Sequence, residues 1–483
     1  MHANAPRVGL AARTFEDLGV LYVSGAGDAA AQIVHDPLHV RAMAFVADSP
    51  DRSGVIVTGD VMDWCEPTAP CRLARRLIRQ RLGIPAENAT FISTHTHAGA
   101  YPRTARQKAA FAERVFQAVR EAVEAARAVE VGYAQVDLGP GAIFNRRVLI
   151  DPRYGAHCLM FNPGLTFLPG GVVEATAQIR RFVEREWGGD WYDCEASRRA
   201  DNFADGPRDR FLHVIAFREP GGRMLGGFVR MSAHAVIVSS YWFPDTVSAD
   251  YPGVLCAAVS EAVGGQFHFG QGLGGDVRPF VPANTFAACE AFGTAMAEKA
   301  AQAVGGMDFA PLEAVALNRR TLRLPVHPDT CPTAAEADAA RDRFEAQARD
   351  NRSAGGPGWR TKRLMEASFF HMMTRRFYEG GFLTEGAAEE GLAAEINAWR
   401  IGPAVVASLP GEIFTRTGRQ IIAGVRPDLR GRLAICSGGT DSREYIPPRE
   451  DRLLGGYEAV CSAVAPGAAE MLAQEAIEAI NEL

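Results

Sequence analysis

The segment Phe91–Ala100, FISTHTHAGA, sets His95 and His97 two residues apart at the end of an apolar run, in a chain with only 11 histidines. An imidazole is both a ligand for divalent metals and a group that exchanges a proton near neutral pH. On a strand, side chains at i and i+2 point to the same face and those at i and i+1 to opposite faces, so how two such imidazoles meet a ligand depends on where the strand ends and how the chain turns. Gly99 offers a place for that turn. By itself the pair reads equally well as a surface feature, because zinc takes three or four ligands rather than two.

Other residue types suited to chemistry follow at the ends of apolar runs. His234, in GGFVRMSAHAVIV, is a hydrogen-bonded core residue or a further ligand; SADYPGVL follows at 248–255. In FGQGLGGDVRPF (269–280) a cluster of glycines that includes Gly275 lets the backbone approach something closely, and Asp276 follows. The spacing is not that of a phosphate-binding or dinucleotide-binding loop. Glu412, in LPGEIFT at 409–415, is a ligand or a helix-start acid. Tyr445, in DSREYIPPRE at 441–450, is an ordinary loop tyrosine unless the other groups recruit it.

Strands and helices must bring these residues together, and the hydrophobic pattern alternates between the two types along most of the chain, as in an α/β fold with a mixed β-sheet core flanked by helices. Strands are predicted at 54–60, 89–94, 130–138, 211–218, 224–234, 313–325, 396–408 and 431–436. Helices are predicted at 105–128, 251–263, 285–304, 415–425 and 466–481. A helical excursion at 333–394 opens with TAAE, a capping-box pattern at Thr333, and is broken by NRSAGGPG at 351–358. It reads as an inserted hairpin or lid within one domain spanning 1–483. No internal repeat is evident. In open α/β sheets ligands sit beyond the carboxyl ends of strands, where the histidine pair lies.

At 483 residues and 47% apolar the chain can bury one large core or several ordinary ones. A net charge of −6, with 51 basic residues scattered along the chain, argues against a nucleic-acid partner. No window suits a membrane helix. The first residues lack a basic region followed by a long apolar stretch, and nine cysteines without CxxC spacing read as reduced thiols. A cytoplasmic enzyme is expected, and a homo-oligomer is allowed.

The motifs THTHAG, SADYPG, GGDV, PGE and GGYEA, in that order, resemble the catalytic domain of the neutral ceramidase family over nearly the full chain, with DPLHVRAMAF (36–45) and FNRR (144–147) in support. The resemblance implies a zinc site with His95, His234, Glu412 and Tyr445 as ligands, and His97 as an outer residue that binds substrate or moves a proton. It adds Arg146 and Tyr457 to the catalytic group and places Gly275 and Asp276 against the substrate. A phenol is an uncommon zinc donor, but a divalent cation lowers its pKa.

One position departs from the family: the serine expected after GDV, to which catalysis is assigned, is Arg278 here. A guanidinium is neither nucleophile nor base, so the pattern leaves attack by water activated by zinc. It also suits a substrate with a carboxylate or phosphate, which a guanidinium pairs bidentately. The chain also ends soon after Tyr457, without the C-terminal sandwich of the secreted members. The expectation is a zinc-dependent hydrolase of linear amides, acting on a small-molecule and anionic substrate. The alternatives are a true ceramidase and a catalytically silent zinc-binding homologue.

Overall fold

In the computed structural model, which describes residues 5–18, 22–23, 30–64, 70–139, 141–151, 153, 155–158, 207–384, 386–440 and 444–483, one order of elements occurs three times. Each time, three strands run antiparallel in succession, and a helix then carries the chain to a fourth strand parallel to the third. Parallel neighbours cannot be joined by a tight turn, so each such pair requires its crossover helix. Cys65, Cys194 and the start of the Tyr445 motif at 441–443 lie outside the described residues.

The first unit holds β1 (Arg7–Thr14), β2 (His39–Val46), β3 (Gly54–Gly59) and β4 (Ala89–Ser93), in that spatial order, with β3 and β4 parallel. Helix α1 (Pro70–Leu82) makes the crossover and α2 (Ala105–Glu124) follows β4. The start of α2 is fixed by a capping box, in which Thr104 accepts from the Gln107 amide and the Gln107 side chain reaches back. Its stripe of Phe111, Val115 and Val119 is buried against Val40, Ala42 and Val57 of the sheet.

The second unit has β5 (Glu130–Asp137), β6 (Phe211–Arg218), β7 (Met224–Met231) and β8 (Gln266–Gln271), with β9 (Ala310–Pro311) added beside β5. Helix α3 (Asp250–Val263) joins the parallel pair β7 and β8, and α4 (Phe286–Gly305) follows. The third has β10 (Val315–Leu324), β11 (Leu392–Ile401), β12 (Ala404–Ser408) and β13 (Leu433–Cys436), the last two parallel.

The expected excursion is a helical hairpin between β10 and β11, formed by α5 (Ala334–Ser353) and α6 (Gly358–Glu379). Thr333 caps α5 by accepting from the Glu336 amide, and the break falls at Gly355, whose φ is 68°. The single strand expected at 396–408 is instead the hairpin of β11 and β12, because Gly402 turns the chain at φ 55°. Helices α7 (Thr415–Gly424) and α8 (Ala468–Asn481) cover the outer face of this sheet, where Ile421, Leu472 and Ile480 pack on Ile396, Val405 and Leu433.

The three sheets meet through their inner faces. Met43, Phe45, Ile56 and Ile92 from the first, Ile215, Phe217 and Phe228 from the second, and Trp399, Ile401 and Val406 from the third form one buried cluster. Trp399 anchors it, its indole N–H donating to Thr90 at 2.9 Å across two of the sheets. Among the described residues no helix is long and apolar enough to cross a membrane, and the described cysteines are free thiols.

Candidate metal centre

Each parallel pair ends at the same place. His95 and His97 follow β4, His234 follows β7, Gly275 and Asp276 follow β8, Glu412 follows β12, and Tyr445 follows β13. The crevice beyond the carboxyl ends of strands thus receives a contribution from all three sheets.

The turn that brings the histidine pair together lies at His95 itself, not at Gly99. His95 has φ 62°, a left-handed conformation uncommon for a residue with a side chain. Hydrogen bonds hold it there: its amide donates to Val61 O at 3.1 Å and its Nδ1 lies 2.7 Å from Met62 O. Two residues on, the His97 amide donates to Ala235 O, and His97 O accepts from the Ser240 amide, tying the pair to the His234 segment.

The ring contacts fix the chemistry. Met62 O accepts from His95 Nδ1, so that nitrogen carries the proton and Nε2 presents a lone pair. His234 is oriented likewise, with Nδ1 2.9 Å from Gly274 O. The two bare Nε2 atoms nevertheless lie 3.0 Å apart, and His97 Nε2 is 3.4 and 3.1 Å from them. Two acceptors at that distance are not a hydrogen bond, and a cation between them could be shared.

Glu412 Oε2 completes the cluster at 3.3 Å from His95 Nε2 and 3.4 Å from His234 Nε2, and it has no hydrogen-bond partner among the described residues. For a metal with bonds of about 2.0–2.1 Å to nitrogen, tetrahedral ligands stand about 3.3–3.4 Å apart. The separations among the three nitrogens, and from Glu412 to His95 and His234, lie near that spacing, so this buried three-histidine group could hold a metal ion.

Burial, reinforced by the other cationic groups, pushes His97 and His234 well below the ordinary imidazole range, so both are neutral and able to donate a lone pair. Burial acts on His95 in the same direction, but the Glu412 carboxylate outweighs it and raises that ring.

The remaining candidates surround this cluster. His97, expected outside the ligand set, has its Nε2 as close to the cluster as the other two. Tyr445, expected inside it, has its hydroxyl on Arg146 Nη2 at 2.8 Å, with its ring stacked at 6.4 Å from His234. Tyr445 and Glu412 are register partners in a short parallel ladder. Arg146 is held from three sides: Nη2 also donates to Gly275 O at 2.9 Å, and Nε to Glu458 Oε1 at 2.9 Å. Tyr457 packs edge-on against Tyr445 at 5.7 Å.

Gly275 lies where a Cβ would meet Glu412 O at 2.8 Å, so glycine permits the close approach of the two loops. The Asp276 carboxylate is occupied: it accepts from the Thr415 amide and hydroxyl and from Asn145 Nδ2, all within 2.9 Å. It ties loops together and has little capacity left for a ligand.

Arg278 is 2% exposed, and its Nη2 lies 3.5 Å from Val236 O. Burial and the neighbouring Arg146 push it down to about 9, so it stays cationic at neutral pH.

Sequence reasoning missed Glu458, whose carboxylate is 0% exposed and bridges Arg146 to Arg147 Nη1 at 2.7 Å. It stands next to Tyr457 in GGYEA, in the short helix Tyr457–Val460, but a single acid beside apolar residues carries no visible sign of being buried. It also missed the carbonyls of Met62 and Gly274, which no residue type could reveal.

No protein-family model and no curated protein matches this sequence. Among solved structures, neutral ceramidase from Pseudomonas aeruginosa aligns with TM-score 0.66 and 15% identity over 99% of this chain and 74% of its own. A structure described as a ceramidase complexed with C2 aligns with TM-score 0.64 and 15% identity over 99% of this chain and 75% of its own. At this identity the likeness is one of architecture: the chain has a neutral ceramidase-like fold.

Proposed function

We propose that this chain is a zinc-dependent hydrolase of linear amide bonds. The observation that carries the reading is the convergence of three imidazole Nε2 atoms on one point, two of them fixed as lone-pair donors by backbone carbonyls. His95, His97, His234 and Glu412 would hold the ion. When bound, zinc polarises a carbonyl and lowers the pKa of water in its open position.

The chain's own groups do the rest. Tyr445 Oη accepts from Arg146 and turns its proton toward the carbonyl oxygen of the substrate, which gains negative charge as water adds to the amide carbon. The C–N bond then breaks, and a proton from that water goes to the nitrogen, which leaves as the amine. Burial keeps that phenol well above its usual range, which suits a donor. Glu458 and Gly275 O fix Arg146, while Tyr457 covers the outer side of Tyr445. Arg278 holds a carboxylate or phosphate on a small-molecule substrate. The free thiols fit a reducing, cytoplasmic setting.

A second reading, true ceramidase activity, is favoured by the fold shared with the ceramidase structures. The experiment measures metal in protein purified without added metal, then assays a panel of neutral and anionic N-acyl compounds with the native chain and Arg278→Ser. About one zinc per chain is expected. Anionic amides should be preferred, and the substitution should weaken that preference by about 2–5 kcal/mol, the range for a buried charged contact. Full activity without metal would sink the hydrolase reading. Efficient cleavage of ceramide with no preference for anionic amides would put the second reading first.

A further inference from the structure

A cavity of about 740 Å³ opens away from the imidazole cluster, between β2, α3 and α4. Its size lies within the roughly 300–1,000 Å³ of small-molecule sites. Much of its wall is apolar, with Val254, Ala257, Phe267 and Phe286 among the lining residues.

Arg41 is the only charged lining side chain more than nine-tenths buried, at 6% exposed. Only its Nη1 is engaged, donating to both oxygens of Asp60 at 3.0 Å, and Asp60 is further fixed by the His39 amide at 2.8 Å. Among the described residues the Nε and Nη2 edge has no hydrogen-bond partner. That edge is the planar pair of donors that suits a carboxylate.

Outside the mouth lies an apolar patch. Ile33, Val34, Tyr241 and Trp242 are 51, 49, 65 and 41% exposed. The two segments that carry them are joined, Ile33 pairing with Thr246 and Val34 with Val247. The patch runs into the cavity: His35, next to Val34, stacks on Phe286 at 3.8 Å, and Phe243, next to Trp242, packs on Phe286 at 4.7 Å. Scattered exposed apolar residues need no explanation, but a contiguous group at a cavity mouth marks a binding surface.

We propose that this cavity binds a single-chain aliphatic carboxylate, its head on the Nε and Nη2 edge of Arg41 and its tail leaving past Phe286 across the exposed patch. The site is separate from the metal centre yet adjoins it. Asp60 is followed by Val61 and Met62, whose carbonyls hold His95, and Ser248 in the cavity wall accepts from Thr96 Oγ1 at 2.8 Å. The proposal stands independently of the amide-hydrolase reading.

The test is calorimetric titration of the protein as purified with decanoate, decanol and decylamine below their aggregation concentrations. Decanoate should bind one per chain, at least 10-fold tighter than decanol and decylamine. Arg41→Gln, which keeps a donor for Asp60, should weaken decanoate at least 10-fold and leave decanol little changed. Because that residue is buried, a second variant is needed: Ala257→Trp, on the solvent-facing side of α3, should block binding while the fold is retained. Absence of decanoate binding would overturn the proposal. Tighter binding of decylamine, which the exposed Glu261 and Glu290 would attract, would also overturn it, as would decanoate binding unchanged in Ala257→Trp.

Discussion

Replacing His97 by alanine separates the ligand set proposed above from the one that the family resemblance implies. The four atoms proposed to hold zinc are His95 Nε2, His97 Nε2, His234 Nε2 and Glu412 Oε2; the separations among the three nitrogens, and from Glu412 to His95 and His234, run from 3.0 to 3.4 Å. Removing His97 leaves a face of three donors, so metal still binds but loses a direct ligand. Outer-layer partners of metal ligands are typically worth 10–100-fold in affinity, so a direct ligand should cost more than about 100-fold, or about 2.7 kcal/mol. Tyr445→Phe should behave differently. It removes the acceptor for Arg146 Nη2, costing about 1.5–3 kcal/mol of stability, the value of a hydrogen bond to a charged group, while zinc affinity changes by less than about 10-fold. Competition between metal-free protein and a chromophoric chelator measures both affinities, with thermal unfolding as the control for fold. The reverse pattern, zinc retained in His97→Ala and lost in Tyr445→Phe, would refute the geometric argument and restore Tyr445 as the ligand.

Gly275→Ala should lower zinc affinity by at least 10-fold without touching a ligand, since its Cβ would press on Glu412 O at 2.8 Å and Ile413 O at 3.0 Å; unchanged affinity by the same chelator assay would show that the two loops are free to part. A pH test concerns Glu395, which joins α1 to the third sheet through Arg75 Nη2 at 2.6 Å. Burial would raise this carboxyl, but Arg75 outweighs it and holds the group at about 2. A depressed folded pKa contributes stability that is complete above the unfolded value of about 4.3 and is lost as pH falls toward 2. At about 1.4 kcal/mol per unit this contribution is on the order of 3 kcal/mol, so denaturant unfolding between pH 5 and 2 should be flatter in Glu395→Gln, and an identical acid limb would contradict the assignment.

Much of the architecture was legible because local pattern and tertiary position agree. The strand expected at 54–60 is Gly54–Gly59 and that at 211–218 is Phe211–Arg218, both buried runs bounded by turns. The helix expected at 105–128 is shorter at its end only, stopping at Glu124. Helix α1 was missed: its five arginines hide the stripe of Cys71, Ala74 and Ile78 that it buries. The site was legible as residue types and illegible as geometry. THTH advertises imidazoles, but the left-handed φ of His95 depends on the carbonyls of Val61 and Met62, more than thirty residues earlier. The Asp276 motif drew notice as a place for a ligand, whereas its carboxylate is consumed by Thr415 and Asn145.

The threefold order of elements explains why no repeat is visible in the sequence. What recurs is a topology, three antiparallel strands and a parallel fourth, and many sequences satisfy it provided the inner faces are apolar and a helix makes the crossover. Each unit ends its parallel pair at the same rim, but the residues placed there differ: two imidazoles from the first, one imidazole and a glycine-rich loop from the second, a carboxylate and a phenol from the third. The donors are therefore complementary rather than copied, and none of the units alone holds more than two of the four proposed ligands. The site exists only when the faces carrying Phe45, Phe228 and Trp399 are packed together. The inner core thus does more than stabilise the fold: it sets the separation of His95, His234 and Glu412, and with it the size of the ion they can share.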